Sequence, residues 1–135
     1  DKSRSRGLGD VYKRQVVYSG YISSAKKSTA KSLMAQIALA QSEQYANSGS
    51  YFKTDFTPNC QPLNPIDKEE QLVAIEIALF DGDQTIPRDG NYGYCIAGED
   101  ANNFVVIASE FSGTDLTGCT FAIGRRGAIE ATDDC

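Results

Sequence analysis

The sequence predicts an α+β fold in which one long N-terminal helix packs on a three- or four-stranded antiparallel sheet. Two observations carry that expectation. Ala30, Leu33, Met34, Ile37, Ala40 and Tyr45 recur largely at three- and four-residue steps, which gathers them on one face of a helix. From Leu72 onward, short apolar segments alternate with polar turns at close spacing, the pattern of an antiparallel meander. A sheet with one apolar face and a helix with one apolar stripe can bury each other. A chain of 135 residues holds one domain with one modest core.

Residues 1–15, DKSRSRGLGDVYKRQ, show no apolar periodicity and fit neither a signal peptide nor a buried element. The six residues Asp10 to Gln15, DVYKRQ, resemble the translation of a transposase adapter used in sequencing libraries. Residues 1–15 are therefore set apart as a non-native scar, the alternative being a disordered basic tail. The domain proper is residues 16–135.

The helix is expected over about residues 21–46. Its alanine-rich, unbranched composition favours helix on propensity as well as pattern. Lys26, Lys27 and Lys31 would oppose the helix dipole if the helix began near Ser23, so the spacing points to a start further upstream. Asn47-Ser48-Gly49 supplies the stop. Residues 47–70 form a connector. Pro58, Pro62, Pro65, Asn59 and Asn64 disfavour regular structure there, and a loop of this length has to be tied down.

The sheet region is expected over residues 71–135. Its strand-like segments are Leu72–Leu79, Tyr92–Ala97, Asn103–Ser109 and Cys119–Ile123, with Gly127–Ala131 as a short last strand or edge. Turn-rich pieces separate them, at Asp81-Gly82-Asp83, Asp89-Gly90-Asn91, Gly98-Glu99-Asp100 and Ser112-Gly113-Thr114-Asp115.

Composition excludes several chemistries. The chain has no His, so imidazole acid–base catalysis and His-ligated metals are out. Cys60, Cys95, Cys119 and Cys135 show no CxxC spacing, against a zinc ribbon or thioredoxin-like motif. Even, widely spaced cysteines in a small domain fit disulfides in an oxidising compartment. Three pairings are open, and four reduced, buried thiols in a cytosolic protein is the alternative. The net charge is −5; without residues 1–15, eight basic side chains face sixteen acidic ones, a net of −8. That balance gives no footprint for a polyanion, so nucleic acid is not an expected partner.

Three clusters are weighed as sites. Asp81, Asp83 and Asp89 superficially resemble part of a calcium loop but lack its regularly spaced oxygen ligands and terminal Glu. Ser28, Lys31 and Ser32 form a formal Ser–Lys arrangement with no oxyanion-hole signature. Arg125 and Arg126 are a lone basic pair at a turn. There is no glycine-rich phosphate loop. Solvated turns and an ordinary helix surface account for these clusters, so no catalytic, cofactor-binding or metal-ligating residue is assigned, and no enzyme activity is expected.

The stretch from Tyr21 to Phe52 resembles the helix of type IV pilins where it enters the globular head. Tyr21, Ala25, Lys26, Ala30, Lys31, Ile37, Ala38, Ala40, Gln41, Glu43, Tyr45, Asn47, Gly49, Ser50 and Tyr51 carry the resemblance, most distinctively over Glu43–Tyr51. The text CTFAIGRRGAIEA also looks like the late strand pair of many pilins. The resemblance spans residues 16–135, of which about thirty are distinctive. It implies a prepilin leader and an apolar helical segment upstream of residue 16. A prepilin peptidase would cut and methylate that segment, which anchors the subunit in the inner membrane and later packs in the filament core.

The resemblance also implies a Cys119–Cys135 disulfide at the C-terminal region, leaving Cys60–Cys95 as the second pair. Many members have only one, so the second bridge is a departure. The function implied is a major or minor subunit of a bacterial, extracellular type IV pilus, presenting its head for adhesion, aggregation, motility or DNA uptake. The partners implied are other pilins and the inner-membrane assembly platform. Two alternatives stand beside it. One is a type II secretion pseudopilin, whose major forms typically carry a calcium-stabilised loop and no disulfide. The other is a secreted binding module unrelated to filaments.

Overall fold

Helix α1 spans Leu8–Ser48, 41 residues, and starts well upstream of the Tyr21 anticipated from periodicity, as the lysine placement suggested. The computed structural model describes residues 8–88, 91–132 and 135, with side chains from residue 25 onward. Residues 1–7 and the Asp89-Gly90 part of one expected turn lie outside the described residues. The backbone of residues 8–15, set apart as scar or tail, takes part in α1.

Ala30, Leu33, Met34, Ile37 and Gln41 are buried along one face of α1. These positions are one, two and three turns apart, as a 3.6-residue repeat requires. They meet a sheet of four antiparallel strands in the order β1-β2-β3-β4: β1 Tyr92–Ala97, β2 Val105–Ser112, β3 Asp115–Gly124 and β4 Ile129–Ala131. The sheet contributes Tyr92, Tyr94, Ile96, Val106, Ala108, Cys119, Phe121 and Ile123 to the same core. The alternation Cys119, Phe121, Ile123 on β3 is the period of two that places one face inward. Gly113 at φ 65° and Thr114 turn the chain between β2 and β3. A bulge near Glu110 shifts the register between Ser109 and Phe111, adding local twist.

The α+β architecture is thus the one expected, with one correction. Leu72–Leu79, read as a strand, lies in helix α2, Glu70–Leu79. The segment LVAIEIAL is rich in β-branched residues and partly alternates, which favours a strand on local grounds. The same letters place Leu72, Ile75 and Glu76 on one buried face, and tertiary packing against β1 and α1 decides for helix. The sheet begins at Tyr92.

The connector from Gly49 is pinned along the free side of β1. Thr54 and Asp55 both donate their backbone N–H to the Ile96 carbonyl, at 2.9 and 3.1 Å. The Thr54 hydroxyl oxygen accepts the Ile96 N–H at 2.9 Å. Asp55 forms an isolated parallel bridge with Ala97. The edge strand is therefore covered over part of its length. Close approach explains Gly93, where a Cβ would collide with the Leu63 carbonyl.

Candidate functional site

Disulfides join Cys60 to Cys95 and Cys119 to Cys135. The first ties connector to β1; the second ties residue 135 to β3. Each constrains the unfolded chain and contributes about 2–4 kcal/mol. Among the described residues, the one cluster with metal-ligand spacing is Asp55, Cys60 and Cys95. Both of its sulfurs are bonded to each other, so neither is a thiolate ligand.

The acidic turn is solvated. Asp81, Gly82 and Asp83 are exposed, and Asp81 (φ 56°) and Gly82 (φ 85°) both adopt left-handed backbone. Asp89 lies outside the described residues. Ser28 and Ser32 are exposed on α1, while the Lys31 ammonium lies 5.2 Å from the centroid of the Phe121 ring. That cation–π position takes Lys31 toward the sheet, and no Ser–Lys hydrogen bond occurs among the described residues.

Two polar devices escaped the sequence reading. Gln41 is fully buried. Its side-chain amide donates to the Phe52 carbonyl at 2.6 Å and accepts the Phe52 N–H at 2.8 Å. One side chain thereby satisfies both backbone groups of a residue that has left regular structure. Beside it, Tyr45 stacks on Tyr51 at 4.6 Å between centroids, and Tyr51 packs on Phe104 at 4.7 Å. This junction fixes how the end of α1 meets the connector and the sheet.

The second device is Glu76, on the buried face of α2. Its carboxylate accepts the backbone N–H groups of Thr85 and Ile86, each at 2.9 Å. It also takes a two-pronged contact from the Arg88 guanidinium, at 2.9 Å from each of two nitrogens. Arg88 reaches Glu69 through Nε at 2.8 Å. Burial alone would raise the Glu76 carboxyl. The Arg88 hydrogen bonds and charge, with the Ile86 and Thr85 amides, outweigh it and hold the group below its ordinary value of 4.5. Nothing in the spacing of these residues singles them out, because the pairing spans twelve positions, most of them beyond the end of α2.

The tyrosines of β1 are held protonated. Burial, then the Glu110 charge, pushes the Tyr92 phenol up to about 12. Burial, with Tyr92 adding to it, raises Tyr94 further. Neither is a base near neutral pH.

Arg125 and Arg126 sit in the turn between β3 and β4. Arg125 donates to the Asn102 carbonyl at 2.9 Å, linking this turn to the β1–β2 loop. Between them lies an open groove of about 700 Å³, lined by residues that include Asp100, Asn102, Asn103, Arg125, Arg126 and Glu130.

A second feature concerns length. At 1.5 Å per residue, the 41 residues of α1 extend about 60 Å. The longest strand, β3, has 10 residues and spans about 33 Å. Four strands side by side are narrower still. The helix is therefore longer than the sheet in any direction, and among the described side chains, which begin at residue 25, its buried stripe runs from Ala30 to Gln41. Among the described residues, no helix is long and apolar enough to cross a membrane.

Comparison with protein-family models, curated proteins and solved structures finds no match to this chain.

Proposed function

We propose that this chain is the head and adjoining helix of a filament subunit of the type IV pilus kind. The observation that carries the reading is the mismatch between α1 and the sheet. Counted from Val16, past the residues set apart as scar, the helix still runs about 50 Å to Ser48, about one and a half times the length of the longest strand, so it outruns the sheet it packs on. In a pilus subunit, that excess leads into the apolar segment that packs against neighbouring subunits. The work of the protein is then assembly, without a catalytic step, and the head loops face outward for adhesion or motility.

The two disulfides favour a pilus over a type II secretion pseudopilus, whose major subunits typically rely on a calcium loop instead. They also suit an extracellular filament. Nucleic acid is not proposed as a partner, given the acidic balance of residues 16–135.

The test is the gene sequence upstream of Val16. The proposal expects a short basic leader ending in glycine, followed by about twenty apolar residues that run into Val16 and Tyr21 without a helix break. A conventional cleavable signal, or a polar soluble domain at that place, overturns assembly through the helix and favours the secreted module.

A further inference from the structure

The groove between the β1–β2 loop and the β3–β4 turn has a composition that selects for one kind of ligand. Its rim carries Arg125 and Arg126, balanced by Asp100 and Glu130. Asn102 and Asn103 stand between them. The side-chain oxygen of Asn102 accepts from the Tyr45 hydroxyl at 2.9 Å. That of Asn103 accepts the Phe104 N–H at 3.0 Å. With their oxygens engaged, the amide nitrogens of both are the groups left for a ligand. The loop is held in place by Tyr45 from the end of α1 and by Arg125 from the sheet. Small residues, Ala122, Gly124 and Ala128, keep the groove open.

We propose that this groove binds a carboxylate-bearing saccharide. A guanidinium recognises a carboxylate through paired N–H groups. The asparagine amides donate to hydroxyl or ring oxygens, and Asp100 and Glu130 accept sugar hydroxyls. The two carboxylates also weaken the field that would gather a phosphate-rich chain, so nucleic acid fits less well than a singly charged, hydroxyl-rich ligand. A volume of about 700 Å³ lies in the usual range for small-molecule sites. The inference stands on the groove alone and does not require filament assembly.

The experiment is a titration of the oxidised, isotope-labelled chain followed by amide chemical shifts. N-acetylneuraminic acid and galacturonic acid are the probes, with galactose, inorganic phosphate and a short oligonucleotide as comparators. The expected result is saturable shifts confined to residues 100–103 and 122–130 with at least one acidic sugar. Galactose is expected to bind weakly, and the phosphate probes not to bind. Arg126→Ala weakens acidic-sugar binding about tenfold, and Ala128→Phe, which fills the groove, abolishes it. Arg126 and Ala128 are exposed, so both variants keep the melting temperature; should one not fold, the other carries the test.

Absence of shifts at the groove with both acidic sugars overturns the proposal. So does preference for phosphate or oligonucleotide, or binding that survives both substitutions. A groove that fails in a protein with a pilin leader leaves the assembly reading intact; a groove that binds in a protein without one does the reverse.

Discussion

The two helices of this molecule differ in what they bury: α1 buries no charge among its described side chains, and α2 is held around one. Helix α1 lies on the sheet through Ala30, Leu33, Met34 and Ile37, all buried and all apolar. Helix α2 buries Leu72 and Ile75 too, but its inward face also carries Glu76, which gathers two backbone amides and Arg88. Apolar burial is non-directional and tolerates small shifts. A buried carboxylate with four donors fixes one arrangement and is costly to leave half made. The segment from Thr85 to Arg88 has no regular structure of its own, so hydrogen bonds to a neighbouring side chain hold it instead.

Removing the charge side of that contrast is expected to have the largest effect. Glu76→Leu leaves the Thr85 and Ile86 amides without their acceptor and Arg88 with only Glu69 and the Ile86 carbonyl, a loss of about 3–5 kcal/mol measured by denaturant unfolding. Adding Arg88→Met recovers part of the loss, because a half-buried charge that has lost its main partner is gone while the amides remain stranded. A double variant no more stable than Glu76→Leu would mean that Arg88 contributes little.

On the apolar side, Ile37→Ala costs about 2–4 kcal/mol through lost burial and a residual cavity, with unchanged pH dependence. Gln41→Ala comes next, at about 1–3 kcal/mol, since both backbone groups of Phe52 lose their partner. Its hydrogen-exchange signature is faster opening at Phe52, with the β2 and β3 amides still protected.

The smallest effect is the one that titrates. Glu76 sits below its ordinary 4.5 in the folded state. Its stabilising contribution is therefore complete above about pH 4.5 and is lost as pH falls through the lowered folded value. Stability of the parent chain drops in that acidic window more than stability of Glu76→Gln, and parallel acid limbs in the two would sink the assignment.

The same contrast explains which parts of the fold were legible. The stripe on α1 stands out because burial repeats with a fixed period, and Tyr92–Ala97, buried at every position, because it is a short apolar run bounded by turns. Helix α2 differs from the expected strand because its last eight letters satisfy two periods at once. Leu72, Ile75, Glu76 and Leu79 suit a helix only if Glu76 is allowed inside, and a lone Glu argues against that until Arg88 is seen beside it. Gln41 was hidden for a related reason. A polar residue within an apolar stripe looks like an interruption, whereas here it stands in for a missing ladder partner. The β3–β4 arginines were visible as a pair, but the groove was not. It depends on the β1–β2 loop arriving at the same end of the sheet through strand pairing.

The disulfides also set how far this domain can lengthen under load. Cys60–Cys95 bypasses 35 residues of chain and Cys119–Cys135 bypasses 16. Fully drawn out, those segments would span roughly 120 Å and 55 Å. A tensile force between α1 and residue 135 reaches neither while the bridges hold. The oxidised domain therefore yields a much shorter tether than the reduced one, and the withheld slack covers α2, the Glu76–Arg88 contact and the β3–β4 turn. Those parts stay off the force-bearing line even when the core around α1 has given way.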